Sequence, residues 1–173
     1  MQLQCDPFPH LTTQRLELRP LAFSDDREIL FHRSDPRMLQ YIDIEPAHDV
    51  EDARRFIGKI ETLIAENKSI YWAMSLKNDP KLIGTICLWN LDMENASADI
   101  GYGLHPDFQG RGIMQEAYEK VAEFAFSVMQ AHSLHAMVHP ENLPSIRLLA
   151  RNGFVPTGEE EGCVVYGLRR SEK

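Results

Sequence analysis

From His105 to Glu116 the chain reads His-Pro-Asp-Phe-Gln-Gly-Arg-Gly-Ile-Met-Gln-Glu. Just before it, Ala98 to Leu104 has the character of a strand; just after it, a long amphipathic pattern begins at Gly112. A strand ends at a proline, glycines follow, and a helix starts. That order collects unpaired backbone N–H groups, with little side chain over them, at the positive end of a helix dipole. Such a turn suits a phosphate or diphosphate. Glycines at a strand-to-helix junction can also serve backbone geometry alone. No Lys-Ser or Lys-Thr follows Gly112, which excludes a nucleoside-triphosphate loop, and the third glycine of the dinucleotide fingerprint is missing.

A second group of interest lies in the strand that feeds this turn. With a period of two, Ala98, Ile100, Tyr102 and Leu104 share one face and Asp99, Gly101 and Gly103 the other. The second face is nearly bare beside one carboxylate. It is compatible with an extended ligand, or with a close backbone approach that needs glycine. Asn142 and Ser145 open a late helix, where Asn142 is a natural N-cap and Ser145 a first-turn hydroxyl. Glu94 and Glu116 are further acids in this region. Glu116, in the first helical turn, is explained by the dipole alone.

The elements that must position these residues can be read from periodicity. Arg15 to Pro20 alternates as a first strand, and Ser24 and Asp25 can cap a helix through Glu28 and Phe31 that is interrupted near Pro36. Asp49 to Glu66 carries Ala53, Phe56, Ile57, Ile60 and Ile64 on one helical stripe. Ile70 to Leu76 and Leu82 to Trp89 form a hairpin across the turn residues Asn78-Asp79-Pro80. Ser97 to Leu104 is a fourth strand, and Gly112 to Gln130 the longest helix, with Met114, Ala117, Tyr118, Val121, Ala122, Ala125, Val128 and Met129 at core-facing spacing. Leu134 to Val138 is a fifth strand. Asn142 to Arg151 is a helix that exits at Asn152-Gly153, and Phe154-Val155 with Cys163 to Leu168 closes the sheet as a hairpin. Glu159 to Glu161 reads as the solvated turn between those last strands. The expected architecture is an α/β (α+β) layer: a mixed, mostly antiparallel sheet of six to seven strands with helices on both faces, formed as a single domain over residues 1–173 with a core at about 11–168.

Bulk properties narrow the function. The chain has 173 residues, 43% apolar, which suits one core. A net charge of -8 has the wrong sign for nucleic acid and favours a cationic partner such as an amine. Cys5, Cys87 and Cys163 are far apart, which argues against a disulfide framework and for a reducing compartment. No apolar run has membrane-spanning length and the N-terminus lacks a signal-peptide pattern, so a cytoplasmic protein is expected. His132, His135 and His139 would align on a helix, but Leu134 to Val138 reads as a strand, so no metal is expected. Trp72 and Trp89 can border an acceptor pocket or simply pack the sheet.

Gln109-Gly110-Arg111-Gly112-Ile113-Met114 resembles the coenzyme A pyrophosphate loop of the GNAT superfamily of N-acetyltransferases, Gln/Arg-x-x-Gly-x-Gly/Ala. Gln109 and Gly112 match, and Met114 departs at the last position. Leu11-Thr-Thr-Gln-Arg-Leu-Glu-Leu-Arg-Pro, Ala98-Asp-Ile-Gly-Tyr-Gly-Leu-His-Pro, Met114-Gln-Glu-Ala-Tyr, Pro140-Glu-Asn-Leu-Pro-Ser-Ile-Arg-Leu-Leu and Asn152-Gly-Phe resemble, in order, segments of the ribosomal-protein (RimJ/RimL-like) N-terminal acetyltransferase branch. The resemblance implies acetyl-CoA as acyl donor and a primary amine as acceptor, most naturally a protein or peptide N-terminal α-amine. A small-molecule amine, or acyl-CoA binding without turnover, are the alternatives. A monomer or a homodimer is expected.

The same resemblance assigns roles. Tyr102, Gly103 and Leu104 would line the cofactor's extended arm and offer N–H groups to an oxyanion. Gln109, Gly110, Arg111, Gly112, Ile113 and Met114 would hold the diphosphate, and Asn142 and Ser145 would contact the cofactor. Asp99 stands where related enzymes place a glutamate base, one methylene short, which suits a water relay. Many family members supply a tyrosine acid from the late helix. Here Leu149 occupies that position, and Ser145, four residues earlier on the same face, is the candidate partner for the sulfur.

Overall fold

The computed structural model describes residues 1–170. Eight strands form one sheet in the order β1-β2-β3-β4-β5-β6-β8-β7: β1 (Leu11–Thr12), β2 (Leu16–Pro20), β3 (Ile70–Leu76), β4 (Asp79–Asp92), β5 (Ser97–Leu104), β6 (Ser133–Val138), β7 (Val155–Glu160) and β8 (Cys163–Arg169). Every neighbouring pair is antiparallel except β5 with β6. The helices are α1 (Asp26–His32), α2 (Pro36–Leu39), α3 (Val50–Ala65), α4 (Ile113–Glu123) and α5 (Leu143–Arg151).

The alternation of each strand feeds two cores, one per sheet face. Ile70, Trp72 and Met74 of β3 join Ile86 and Leu88 of β4, Ala98 and Ile100 of β5, and the α4 stripe Ile113, Ala117, Tyr118 and Val121. Ala73 and Leu82 meet Ile29 of α1 and Ala53, Ile57 and Ile60 of α3 on the opposite face. Each fully buried large apolar side chain contributes roughly 1.5–3 kcal/mol over an exposed one. The α3 stripe follows the sequence expectation, and the Asp49 side chain caps the helix by accepting the Asp52 N–H. The other early cap differs. Asp25 does not cap α1; it accepts the Ala22 N–H at 2.9 Å and takes both Arg19 guanidinium nitrogens at 2.8 and 2.9 Å.

Three boundaries also differ from expectation. The sheet has eight strands because a two-residue β1 pairs with β2, and β7 extends over Val155–Glu160 rather than stopping at Val155. Glu159 and Glu160 are therefore strand residues, charged as an outer edge strand should be. The turn is Glu161-Gly162, both with positive φ (50° and 79°), as a two-residue hairpin with right-handed twist requires. Finally, the long helix is not α-helical to Gln130. It becomes a π-turn over Phe124–Val128, with Met129 N–H donating to the Phe124 carbonyl. The extra residue rotates the stripe. Val128, expected in the core, is 62% exposed, whereas Met129 and Ala131 are fully buried.

Candidate active site

The parallel pair β5–β6 is short. It pairs only Ser97 with Ser133, Ala98 with Leu134 and Asp99 with His135, after which β5 runs on to Leu104 and β6 to Val138 without pairing. Parallel strands that part in this way leave a wedge lined by unpaired backbone groups, which can bond an extended ligand as an added strand would. At the β5 end of the wedge, Gln109 donates its side-chain N–H to the Leu104 carbonyl at 2.9 Å, which ties the glycine turn to the strand.

The turn itself has the conformation expected of an anion cradle. Gly110 and Gly112 sit at φ 73° and 74°, where a side chain is strained, and a Cβ at Gly110 would meet nothing within 4 Å. Gly112 is the N-cap of α4 and has no capping side chain. The amides of residues 110–115 have no hydrogen-bond partner among the described residues. An open concavity of N–H groups at a helix N-terminus fits a diphosphate. Gln109, included in the expected binding set, donates its side-chain amide to the Leu104 carbonyl.

Residues far upstream in sequence hold this turn. The Glu116 carboxylate accepts the Thr13 hydroxyl, the Arg15 N–H at 2.7 Å and the Arg15 Nε at 2.7 Å, while Arg15 Nη1 donates to the Arg111 carbonyl at 2.9 Å. Partial burial raises the Glu116 pKa, but the donors from Thr13 and Arg15 outweigh it, so the carboxyl lies below its ordinary range. This clamp was not legible in the sequence, where Arg15 and Glu116 lie far apart. Glu116 has a structural task beyond its dipole placement.

Around the wedge, the expected residues divide by face. Tyr102 points to the α4–α5 side, and its hydroxyl lies 2.6 Å from Ser145 Oγ. Ser145 is held in the first turn of α5 by its N–H, which Asn142 Oδ1 accepts at 3.3 Å, so Asn142 is an N-cap. Leu149 is fully buried in the core. On the opposite face Asp99 accepts from Asn90 Nδ2 at 3.0 Å and lies in register between Trp89 and His135. Trp89 is 47% exposed beside Asp99, whereas Trp72 is fully buried, donates to the Pro9 carbonyl, and is a packing residue. His135 lies 3.1 Å from Ser133 Oγ and was not singled out as a neighbour of Asp99, since ladder register is a tertiary property. Glu94 belongs to the exposed turn before β5, its N–H on Asp92.

The bare side of β5 is roofed. A methyl at Gly103 would stand 3.4 Å from Met38 of α2, and the Tyr41 ring lies 5.6 Å from that of His139 at the end of β6. Beneath Gly101 lies Cys87, whose thiol burial pushes up to about 12. A thiol so protonated at neutral pH is a poor nucleophile, so transfer through an acyl-cysteine there is disfavoured. The arrangement suits a direct attack on an acyl group held in the wedge, with Asp99 on one face and the Tyr102–Ser145 pair on the other.

Known proteins share this chain's sequence pattern and fold. Uncharacterized N-acetyltransferase p20 of Bacillus licheniformis is 34% identical over 148 residues, which is 86% of this chain and 83% of the relative. Uncharacterized N-acetyltransferase YnaD of Bacillus subtilis (strain 168) is 30% identical, covering 91% and 89%. Among solved structures, the ribosomal-protein-S5-alanine acetyltransferase from Vibrio fischeri superposes with a TM-score of 0.81 at 22% identity over 93% of this chain and 96% of that one. Mycobacterium smegmatis RimJ in complex with CoA-disulfide gives 0.81 at 20% identity over 92% and 86%. These two likenesses speak for the fold. No helix among the described residues is long and apolar enough to cross a membrane. The acetyltransferase (GNAT) domain profile matches residues 15–155, most of the length, and the chain belongs to that family.

Proposed function

We propose that this acyltransferase moves the acetyl group of acetyl-CoA to the α-amine of a protein or peptide N-terminus. When bound, acetyl-CoA supplies the activated thioester. The chain supplies position and proton handling. The observation that carries the reading is the wedge between β5 and β6, ended by the open amides of residues 110–115 and flanked by Asp99 and Ser145. In this reading Gly110 to Met114 hold the diphosphate through backbone N–H groups, with Gln109 bracing the turn. The edge of β5 at Tyr102, Gly103 and Leu104 aligns the extended arm, and its N–H groups stabilise charge on the acyl oxygen. Asn142 holds Ser145 against the sulfur.

Asp99 takes the proton of the attacking amine through a water. An α-amine, with a pKa of about 7.7–8.0, needs far less help near neutrality than a lysine at about 10.4. Trp89, exposed beside Asp99, and Met38 over Gly103 give the acceptor apolar surface next to the proposed base. A polyamine is the second reading. It rests on the net charge of -8, and on a spermidine N(1)-acetyltransferase of Vibrio cholerae that is 24% identical over 83% of this chain. We place the reaction in the cytoplasm, consistent with free Cys5, Cys87 and Cys163, and assign it to residues 1–173 acting as one domain, monomeric or as a homodimer.

The test is thiol release from acetyl-CoA with three acceptors in competition: peptides with a free N-terminus, the same peptides blocked there but carrying lysine, and spermidine. Free N-terminal peptides should be preferred near neutral pH. Asp99→Asn should lower kcat by about 10²–10⁴, the usual contribution of a general base. Preference for spermidine, or no release with any free α-amine, would overturn the assignment.

A further inference from the structure

We propose that Tyr102 is a positioning residue for Ser145: its phenol donates to the Ser145 oxygen and so leaves the Ser145 O–H free for the sulfur of the departing thiolate. This deepens the reading just given and rests on Ser145 facing that sulfur. Nothing in the family resemblance assigned the Tyr102 side chain a task, because its expected role was that of its backbone.

The direction of the hydrogen bond follows from acidity: a phenol is the stronger acid and the better donor, and an aliphatic hydroxyl oxygen is the better acceptor. Two hydroxyl groups lie 2.6 Å apart, a normal O–H···O distance, and either can donate. Each has one proton. Whichever group donates, one of the two protons has no partner among the described residues, and the more acidic phenol is the one that keeps its proton in the bond. With Tyr102 as donor, its proton is used and the Ser145 proton is the free one. Ser145 has no helical carbonyl to take that proton, since it stands in the first turn of α5, with its N–H already fixed by Asn142. The free O–H therefore belongs to the residue that lies at the mouth of a helix beside the wedge.

The same environment shows why Tyr102 orients and does not itself supply the proton. Burial pushes its phenol up to about 12, although the Ser145 contact works the other way. Against a thiol of about 8.5, full transfer from the phenol is uphill by a factor of about three thousand. Ser145, a weaker acid still, donates a hydrogen bond to the sulfur anion, and solvent protonates the sulfur later. No proton leaves Tyr102 at any stage.

The experiment needs no acceptor. Free coenzyme A is bound to the full chain and its thiol is titrated by the ultraviolet absorbance of the thiolate. A donor aimed at the sulfur favours the anion, so the wild-type complex should titrate below free coenzyme A. Tyr102→Phe, which keeps the ring, and Ser145→Ala should each raise the midpoint by about one pH unit, the size of one hydrogen bond to a charged atom. The double variant should raise it no further. Melting curves of both variants separate this shift from a general loss of packing. If Ser145→Ala leaves the midpoint unchanged, Ser145 does not face the sulfur and the underlying reading falls. If Ser145→Ala raises it and Tyr102→Phe does not, the positioning role alone is overturned. Should Tyr102→Phe fold poorly, Tyr102→Leu with a melting control gives the same comparison.

Discussion

Replacing Glu116 by glutamine tests whether a side-chain clamp, and not glycine content alone, shapes the phosphate turn. One carboxylate oxygen accepts the Thr13 hydroxyl and the Arg15 N–H, and the other accepts Arg15 Nε. A glutamine carbonyl can keep the first two. Its NH2 then opposes the Arg15 Nε–H, and one charge-assisted bond becomes a donor–donor contact. Such a bond is worth roughly 1.5–3 kcal/mol net. Arg15 is 42% exposed while Glu116 is 18% exposed, so solvent screening takes the expected loss to about 1 kcal/mol. For a chain of this size that is a fall in Tm of roughly 2–4 °C.

A freed Arg15 also releases the Arg111 carbonyl, so the turn must be ordered on binding. Calorimetry with coenzyme A should show affinity reduced by roughly three- to tenfold at unchanged stoichiometry. The pH dependence has a defined sign. Because the folded carboxyl lies below its ordinary range, its stabilisation is complete above about pH 4.3 and is lost as pH falls through the folded value. The difference between wild type and Glu116→Gln should therefore be present at pH 7 and vanish in acid. Equal stability and equal affinity at pH 7 would refute the clamp.

Two further outcomes follow from burial. Met129→Ala should cost about 2–5 kcal/mol in denaturant unfolding, while Val128→Asp should change stability by no more than about 0.5 kcal/mol; equal costs would mean the π-turn does not rotate the stripe. His32 is buried with Nε2 unpartnered among the described residues, and burial, aided by His105 with its ring 6.5 Å away, lowers its pKa to about 4. The unfolded chain binds its proton first, so stability should be full above about pH 6.5 and fall toward pH 4, by up to about 3 kcal/mol. A pH series of melting curves should show this slope flattened in His32→Leu, and an unchanged slope would exclude His32 as its source.

The sequence by itself determined what depends on neighbours along the chain. Strand alternation in Ser97–Leu104, the stripe of α3, the Asn142 cap, and the glycines at 110 and 112 all follow from local periodicity, capping chemistry and backbone sterics. Those features were enough to locate the glycine turn and the face that carries Asp99. The tertiary structure decided what depends on distant segments. Strand register set His135 beside Asp99, and the parting of β5 from β6 opened the wedge. Packing brought Thr13 and Arg15 onto Glu116, turned Tyr102 onto Ser145, and sent the Gln109 amide to Leu104. The π-turn turned Val128 out of the core that its helical spacing predicts while Met129 stays buried, because one extra residue in a helical turn shifts the later side chains by about a quarter of a revolution. Local pattern fixes which face a residue takes within its own element; only the packing of elements against one another fixes what that face meets.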